Sequence, residues 1–264
     1  MNYDFWQKQT EKTLFPEIEW NKPEQKSQAG KLVIIGGNKL GFSAVGTNYA
    51  KAEQMGAGEV KVILPDVLKK SVPMTGGVFF AESNASGGFS KNAIGELKAM
   101  STWADVAILV GDLGKNSETA IAMEELAQNG GKMIATRDSV DLLINTAGKL
   151  VEREDTIVIA TFAQLQKLFR SVYYPKVLTF SMQLMNLVEA MHKFTITYPV
   201  TIASFHQENF VVSQGGRVVT TPIVNTRYSP LTLWGGEVAV RSALYWAWNS
   251  SKPLEAVASA VVTK

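Results

Sequence analysis

The chain has 264 residues, of which 46% are hydrophobic and 19% charged, a composition typical of a globular protein with one large core. A formal net charge of +2, from 26 basic and 24 acidic residues, argues against a nucleic-acid partner, because binding to phosphate backbones needs clustered excess cations. The absence of cysteine excludes disulfide bonds, thiolate metal sites and thiol nucleophiles.

Residues 1–30 are expected to be a peripheral segment in front of the body of the protein. The first 20 residues mix charged and aromatic side chains without an apolar run, so no secretory signal is expected. No stretch approaches the ~18 to 20 apolar residues that span a bilayer, so we expect a soluble, cytoplasmic protein without a membrane partner. No break in composition marks a second domain, and we expect one domain over residues 1–264. The aromatic residues of the N-terminal segment would pack either on this body or on a neighbouring subunit, and this choice stays open; they are Phe5, Trp6, Phe15 and Trp20.

Strands and helices are predicted to alternate over the first half of the chain. Apolar runs predict strands at residues 31–35, 59–64, 105–110 and 132–136. Helical spacing of small and apolar residues predicts helices at residues 43–55, 91–100 and 117–128. Strands separated by helices favour an α/β protein with a mostly parallel sheet and helices on both faces.

The second half is predicted to change in character towards its end. After a short helix beyond Asp138, the pattern predicts a strand at residues 156–159 and a long helix at about 178–194. Three β segments follow at residues 200–204, 210–213 and 217–222, with Gln214-Gly215-Gly216 as a hairpin turn. Two helices, at about 235–248 and 253–262, are predicted to end the chain.

Two glycine-rich segments, Gly36-Gly37-Asn38 and Gly111-Asp112-Leu113-Gly114, each follow a predicted strand. Ligands of open α/β sheets bind beyond the carboxyl ends of the strands, so both segments are expected to border one crevice. Glycine lets the backbone approach a ligand, and helix amides there favour an anion; a tight turn without a ligand is the alternative. The dinucleotide spacing GxGxxG and the phosphate loop GxxxxGK[ST] are both missing.

A third glycine turn, Trp234-Gly235-Gly236-Glu237, opens an apolar predicted helix. Its amides would cradle an oxyanion or phosphate, and Glu237 would act as a general base. The alternative is that the helix dipole alone favours a carboxylate in the first turn.

Asp138 and the two histidines are of residue types that ligate metals. Asp138 would either bind Mg²⁺ or cap the helix that follows it. His192 and His206 lack the spacing of metal ligands, so no metal-binding residue is assigned.

Taken together, these motifs resemble those of the ribokinase-like ATP- or ADP-dependent NAD(P)H-hydrate dehydratases, which restore hydrated nicotinamide cofactors. The resemblance is strongest from residue 30, through the Gly-Gly-Asn turn and Ala44, to Gly56-Ala57-Gly58. Residues 107–114 are similar to the family's Gly-Pro-Gly-Leu-Gly loop, and residues 136–138 to its Asp-Ala-Asp segment. The resemblance implies a ribokinase-like three-layer sandwich with a mostly parallel central sheet and a late β-hairpin.

In that family a nucleotide phosphorylates the substrate hydroxyl, and loss of phosphate restores the cofactor. The resemblance implies ATP or ADP with Mg²⁺ as cofactors and an NAD(P)H-type dinucleotide as substrate. It places Glu237 at the position of the catalytic base, an Asp in the family's Gly-Ser-Gly-Asp turn. The implied cofactor-binding residues are Gly235, Gly236, Ser204, His206 and Asn225. The implied substrate-binding residues are Gly36, Gly37, Asn38, Ala44, Gly111, Gly114, Asp138 and Phe162.

The sequence departs from the family pattern at several of these positions. Trp234 replaces a glycine, Ala160-Thr161-Phe162 replaces Thr-Pro-His, and Ser204-Phe205-His206 replaces a segment containing Lys-Gly. Three interpretations therefore stay open: a divergent dehydratase, a ribokinase-like kinase of another small hydroxylated molecule, and a non-catalytic nucleotide-binding or assembly protein. Whether the chain is an enzyme, and whether it forms a homo-oligomer, stay open with them.

Overall fold

The computed structural model describes residues 3–73, 76–223 and 235–262. In these ranges the strands are β1 (Trp6–Lys8), β2 (Lys31–Gly36), β3 (Glu59–Pro65), β4 (Val78–Ala81), β5 (Val106–Gly111), β6 (Met133–Thr136), β7 (Thr156–Ala160), β8 (Thr201–His206), β9 (Asn209–Gln214) and β10 (Arg217–Pro222). The α-helices are α1 (Glu17–Trp20), α2 (Ser43–Met55), α3 (Ile94–Trp103), α4 (Ser117–Asn129), α5 (Asp138–Leu143), α6 (Ala147–Val151), α7 (Phe162–Ser171), α8 (Leu184–Thr197), α9 (Glu237–Trp248) and α10 (Pro253–Ala260).

The strands form one sheet in the order β1-β10-β9-β8-β7-β6-β5-β2-β3-β4. Strand β9 is antiparallel to both of its neighbours, and the other pairings are parallel. From β2 the chain runs outward to β3 and β4, and then returns to β5 on the other side of β2. The predicted mostly parallel sheet is confirmed, and the carboxyl ends of β2 and β5 form its topological switch point.

Helices cover both faces of the sheet and make three layers. Alternate residues of β5 face opposite sides: Ile108 joins the cluster under α2, α9 and α10, whereas Leu109 joins the cluster under α3 to α8. Both side chains are fully buried. A strand covered on both faces needs apolar residues at every position, and this is why residues 106–110 form a continuous apolar run.

The late hairpin is confirmed, with β9 and β10 joined by Gly215 and Gly216. Both glycines have a positive φ, 55° and 79°, which a two-residue turn of type I′ requires.

Helix α7 was not predicted, and α8 begins at Leu184 rather than near residue 178. The sequence does carry a signal for α7. The Thr161 hydroxyl accepts from the amide of Gln164 at 3.2 Å, and the Gln164 side chain accepts from the amide of Thr161 at 3.0 Å. This reciprocal capping box is readable as Thr-x-x-Gln.

The N-terminal segment is more closely integrated than a peripheral lead-in. Strand β1 pairs with β10 at the edge of the sheet, and Phe15 and Ile18 are buried. Trp20, by contrast, is 79% exposed.

Two features of the described surface bear on a membrane or a second copy of the chain as partner. Within the described ranges, no helix has both the length and the apolar character to cross a membrane. Tyr173 is 94% exposed and therefore accessible to a second copy of the chain, whereas Trp246 is buried in the core and is not. Whether the chain forms a homo-oligomer stays open.

Gln9 ties β1 to the body, and its replacement by Ala is predicted to destabilise the fold. The side chain is 1% exposed, and its Nε2 donates to Thr221 Oγ1 at 3.0 Å and to the carbonyl of Ala258 at 2.8 Å. Gln9→Ala would leave these partners buried and unsatisfied, lowering the free energy of unfolding by about 2 kcal/mol. Gln7→Ala, at an exposed position of β1, is the control. Equal urea midpoints for the two variants would contradict this role.

Candidate functional site

The three glycine turns meet around the carboxyl end of β5. The amide of Gly37 donates to the carbonyl of Gly111 at 3.0 Å. A Cβ on Gly36 would lie 2.5 Å from that carbonyl oxygen, and a Cβ on Gly236 would lie 3.0 Å from Cγ2 of Val110. Segments that are remote in sequence thus converge at the switch point of the sheet, as expected for the first two.

The polar groups of the first turn bond to neighbouring loops. Asn38 donates from Nδ2 to the carbonyl of Asp112 at 2.6 Å, and its Oδ1 accepts from the amide of Leu40 at 2.7 Å. The amide of Ala44 donates to Oδ2 of Asp112 at 3.1 Å, so Asp112 caps the start of α2. These bonds account for the shape of the turn without a ligand.

An ion pair between Arg137 and Asp112 joins the loops after β6 and β5. Nη2 of Arg137 lies 2.6 Å from Oδ1 of Asp112, and both side chains are mostly buried. Both residues have a positive φ, 58° and 56°, although neither is glycine. Such conformations cost about 1 to 3 kcal/mol each and tend to lie at functional sites. Gln164 holds Arg137 in place, because its Nε2 donates to the Arg137 carbonyl at 2.7 Å.

Asp138 supports the loop after β5. Its Oδ2 accepts from the amide of Leu113 at 3.0 Å, and its buried Oδ1 has no partner in the described part of the chain. Burial raises the pKa of this carboxyl, and the Leu113 bond and the charge of Arg137 offset the shift only in part. Across residues 3–73, 76–223 and 235–262 no group of three His, Asp or Glu side chains could hold a metal ion.

Helix α9 begins beside α2, with Gly236 as its N-cap at a φ of 90°. The buried Asn48 donates from Nδ2 to the carbonyls of Ala44 at 2.7 Å and Gly235 at 2.9 Å, which joins the two helix starts. Oε2 of Glu237 lies 4.0 Å from Nζ of Lys51, and the Glu237 side chain is 31% exposed. The predicted base therefore faces a cation on α2. Trp234 and Asn225 lie outside the described residues.

An aromatic cavity of about 410 Å³ lies at the carboxyl ends of β6, β7 and β8. The ring of His206 stacks on Phe162 with centroids 4.5 Å apart, and Phe180 lies 5.0 Å from Phe162. Nε2 of His206 is 2.8 Å from the carbonyl of Met182. The described lining residues are Thr136, Ile159, Ala160, Thr161, Phe162, Phe180, Phe205, His206, Gln207 and Phe210.

The structure divides the predicted site residues into two adjacent groups. Phe162 and His206 lie at the aromatic cavity, and Ser204 lies beside it on β8, fully buried with an Oγ that lacks a partner in the described ranges. The group at the switch point comprises Gly36, Gly37, Asn38, Ala44, Gly111, Gly114, Asp138, Gly235, Gly236 and Glu237. The groups are contiguous along the sheet edge, because Thr136 lines the cavity and is followed by Arg137.

Lys51, Asp112 and Arg137 belong to this region but were not singled out from the sequence. Asp112 and Arg137 lie within segments that were noticed, yet nothing in those segments shows that their side chains pair. Lys51 follows Asn48 by one turn of an ordinary amphipathic helix. Only the tertiary structure brings these charges to the site.

Solved structures with the same fold are known, although no protein-family model matches the sequence and no curated protein matches it. A ribokinase-like superfamily protein from Enterococcus faecalis aligns with a TM-score of 0.70 at 15% identity, over 98% of this chain and 86% of that one. An ADP/ATP-dependent NAD(P)H-hydrate dehydratase from Bacillus subtilis, co-crystallised with ATP and Mg²⁺, aligns with a TM-score of 0.58 at 15% identity, over 94% and 85%.

A Bacillus subtilis pyridoxal kinase in complex with ADP aligns with a TM-score of 0.53 at 10% identity, over 87% of this chain and 88% of that one. Identities this low show the fold alone. The chain has a ribokinase-like fold, as the sequence motifs implied.

Gly111→Ala is predicted to destabilise the protein far more than Gly114→Ala. Both glycines have a positive φ, 92° and 76°, so both variants lose about 1 kcal/mol of stability from backbone strain. A Cβ on Gly111 would also collide with Oδ1 of Asp138 and lie 2.8 Å from Nε of Arg137, whereas one on Gly114 meets nothing closer than 3.7 Å. The collision should cost about 2 kcal/mol more, measured by urea unfolding. Equal losses would show that these loops pack less tightly than described.

Asp138→Asn is predicted to stabilise the protein at neutral pH but not in acid. Burial raises the pKa of Asp138 in the folded state. Ionisation of this group therefore lowers the free energy of unfolding once the pH exceeds the pKa in the unfolded state, about 3.9. Below that pH the carboxyl is protonated in both states and the cost vanishes. The difference between variant and wild-type urea midpoints should therefore shrink as the pH falls from 7 towards about 4. A difference independent of pH would refute the assignment.

Proposed function

We propose that this chain is a divergent ATP- or ADP-dependent NAD(P)H-hydrate dehydratase. The observation that carries the proposal is the position of the Gly235-Gly236-Glu237 turn, which lies against β5 at the switch point of the sheet. A ribokinase-like fold and a neighbour that is such a dehydratase support it. The assigned site residues stay predictions.

The aromatic cavity suits the flat ring of a nucleotide. A volume of about 410 Å³ falls in the range of small-molecule sites, and stacked rings of Phe162 and His206 form part of its wall. Aromatic faces attract flat heterocycles through dispersion and offset stacking.

The phosphates would lie towards the start of α9. The first amides of a helix have no acceptor within it, and they favour an anion at this end. The described residues contain no group of three acids or histidines, so Mg²⁺ would be held by phosphate oxygens and water, as this ion often is. When bound, the nucleotide with its metal supplies the phosphoryl group and neutralises its charge.

Glu237 would accept the proton of the substrate hydroxyl. It lies in the first turn of α9, next to the amides that would contact an anion, and Lys51 stands opposite it at 4.0 Å. This long, partly buried ion pair contributes little to stability, and it holds a cation beside the proposed base.

A non-catalytic nucleotide-binding protein is the second candidate. The specific observation in its favour is that the first glycine turn bonds to Asp112, which also caps the start of α2. These bonds fix the shape of the turn, so the turn does not need a substrate to explain it. A kinase of another hydroxylated molecule would use the same base. Because one structural neighbour is a pyridoxal kinase, the experiment also tests for phosphate transfer to other molecules.

Recovery of NADH from hydrated NADH tests the proposal. With ATP or ADP and Mg²⁺, the wild-type protein should restore absorbance at 340 nm. Glu237→Gln should lower kcat by about a hundredfold or more, because the isosteric amide cannot accept the proton. Glu59→Gln, at an exposed position on β3, is the matched control and should match the wild type.

Other outcomes separate the alternatives. A flat trace together with a higher melting temperature in nucleotide would support binding without catalysis, because a ligand that binds only the folded state stabilises it. Phosphate transfer to a member of a sugar and vitamin panel would support a kinase. The absence of both turnover and stabilisation by a nucleotide would exclude all three interpretations.

A further inference from the structure

A second cavity, of about 310 Å³, lies in the groove between α2 and α9, next to the chain segment that follows α1. It is separate from the aromatic cavity and shares none of its lining residues. The described residues that line it are Glu19, Lys22, Lys51, Gln54, Met55, Arg241, Tyr245 and Trp248.

Three cations from three segments of the chain converge on this cavity. Lys22 follows α1, Lys51 lies on α2, and Arg241 lies one turn after Glu237 on α9. Arg241 is 5% exposed, and the Lys51 side chain is 20% exposed. Among the lining residues Glu19 is the one acid, so positive charge prevails on the described wall. Lys22 is exposed, whereas the burial of Arg241 and the partial burial of Lys51 strengthen their attraction for an anion, because water screens buried charges less.

The contacts of Lys51 are long and leave room for a stronger partner. Its Nζ lies 4.0 Å from Oε2 of Glu237 and 3.5 Å from Oε1 of Gln54. Both distances exceed the 2.7 to 2.9 Å of a strong charge-assisted hydrogen bond. Lys22 donates to the carbonyl of Met55 at 3.0 Å, and its Nζ lies 5.6 Å from the ring centroid of Trp248. An ammonium has three donors, so this bond does not exhaust Lys22.

We propose that the α2–α9 cavity binds a small phosphate-bearing anion, with Lys22, Lys51 and Arg241 as its charged contacts. Arginine and lysine together are the usual partners of phosphate oxygens. The volume accommodates a phosphate with a small organic group. Tyr245 and Trp248 provide aromatic surface for that group.

The anion and Glu237 compete for Lys51. The carboxylate that faces Lys51 is also the group nearest the start of α9, so binding in the cavity draws the cation away from it. The occupied cavity thereby changes the charge environment of Glu237. This site does not depend on the dehydratase activity and is tested without nucleotide or dinucleotide.

Titration calorimetry with inorganic phosphate and with pyrophosphate, at low ionic strength, tests this site on the full chain. Lys51→Gln and Lys22→Gln should each weaken binding about three- to tenfold, because each removes one partly exposed charged contact. Glu237→Gln should strengthen binding about twofold or more, because it removes the competing carboxylate. Lys26→Gln is the matched control: Lys26 pairs with Glu53 at 3.7 Å, is 69% exposed and lies outside the cavity lining.

Lys51→Gln is expected to weaken phosphate binding and Glu237→Gln to strengthen it. These opposite changes distinguish a direct charged contact from a structural role, because in a structural role both variants would bind more weakly or neither would differ from the wild type. Weakening by Lys51→Gln but not by Lys22→Gln would place the anion at the start of α9 instead and overturn the proposal. Absence of phosphate and pyrophosphate binding to the wild-type protein would overturn it as well. Far-UV circular dichroism of each variant establishes that a loss of binding is not a loss of fold.

Discussion

The close approach of the β2 and β5 backbones at the switch point is the constraint on which the site depends. No Cβ fits at Gly36 or Gly111, because the carbonyl of Gly111 and the side chains of Arg137 and Asp138 occupy those places. This approach brings the carboxyl-edge loops within hydrogen-bond distance of each other. Asp112 can then cap α2 and pair with Arg137. The glycines thus serve packing between loops first, and any ligand would bind to a surface that this packing has shaped.

Strain and burial are concentrated at the same loops. Asp112 and Arg137 hold left-handed backbone conformations that glycine would adopt at lower cost, and Asp138 is buried with one oxygen unpartnered in the described part of the chain. Most positions in a stable fold avoid such costs. Their accumulation beyond the carboxyl ends of β5 and β6, where ligands bind in open α/β sheets, is consistent with a site selected for more than stability.

The charges along the α2–α9 interface connect the two proposed sites. Asn48 joins the starts of both helices, and Lys51, one turn further along α2, stands between Glu237 and the basic cavity. Lys51 faces the proposed base and lines the proposed anion site, so it would give a short physical route for coupling between the two. Such coupling would need no long-range rearrangement, because it would act through the position of one ammonium group.

The sequence by itself determined the alternation of strands and helices, the parallel sheet and the late hairpin. The signals for these features are local: they are the spacing of apolar residues and the glycine turns, including Gly215-Gly216. Local signals can be interpreted without knowing which segments contact each other. It also indicated that Gly36 and Gly111 share one crevice, since strand ends of a parallel sheet meet at one edge. Strand β1 escaped prediction because it is three residues long and depends on β10 for its pairing. The capping box at residues 161–164 is a local signal for α7, although the spacing of apolar residues did not predict this helix.

Only the tertiary structure decided that Arg137 pairs with Asp112, that Glu237 faces Lys51 and that three cations share a cavity. Such contacts join residues many positions apart, and their distances depend on helix packing, which no periodicity encodes.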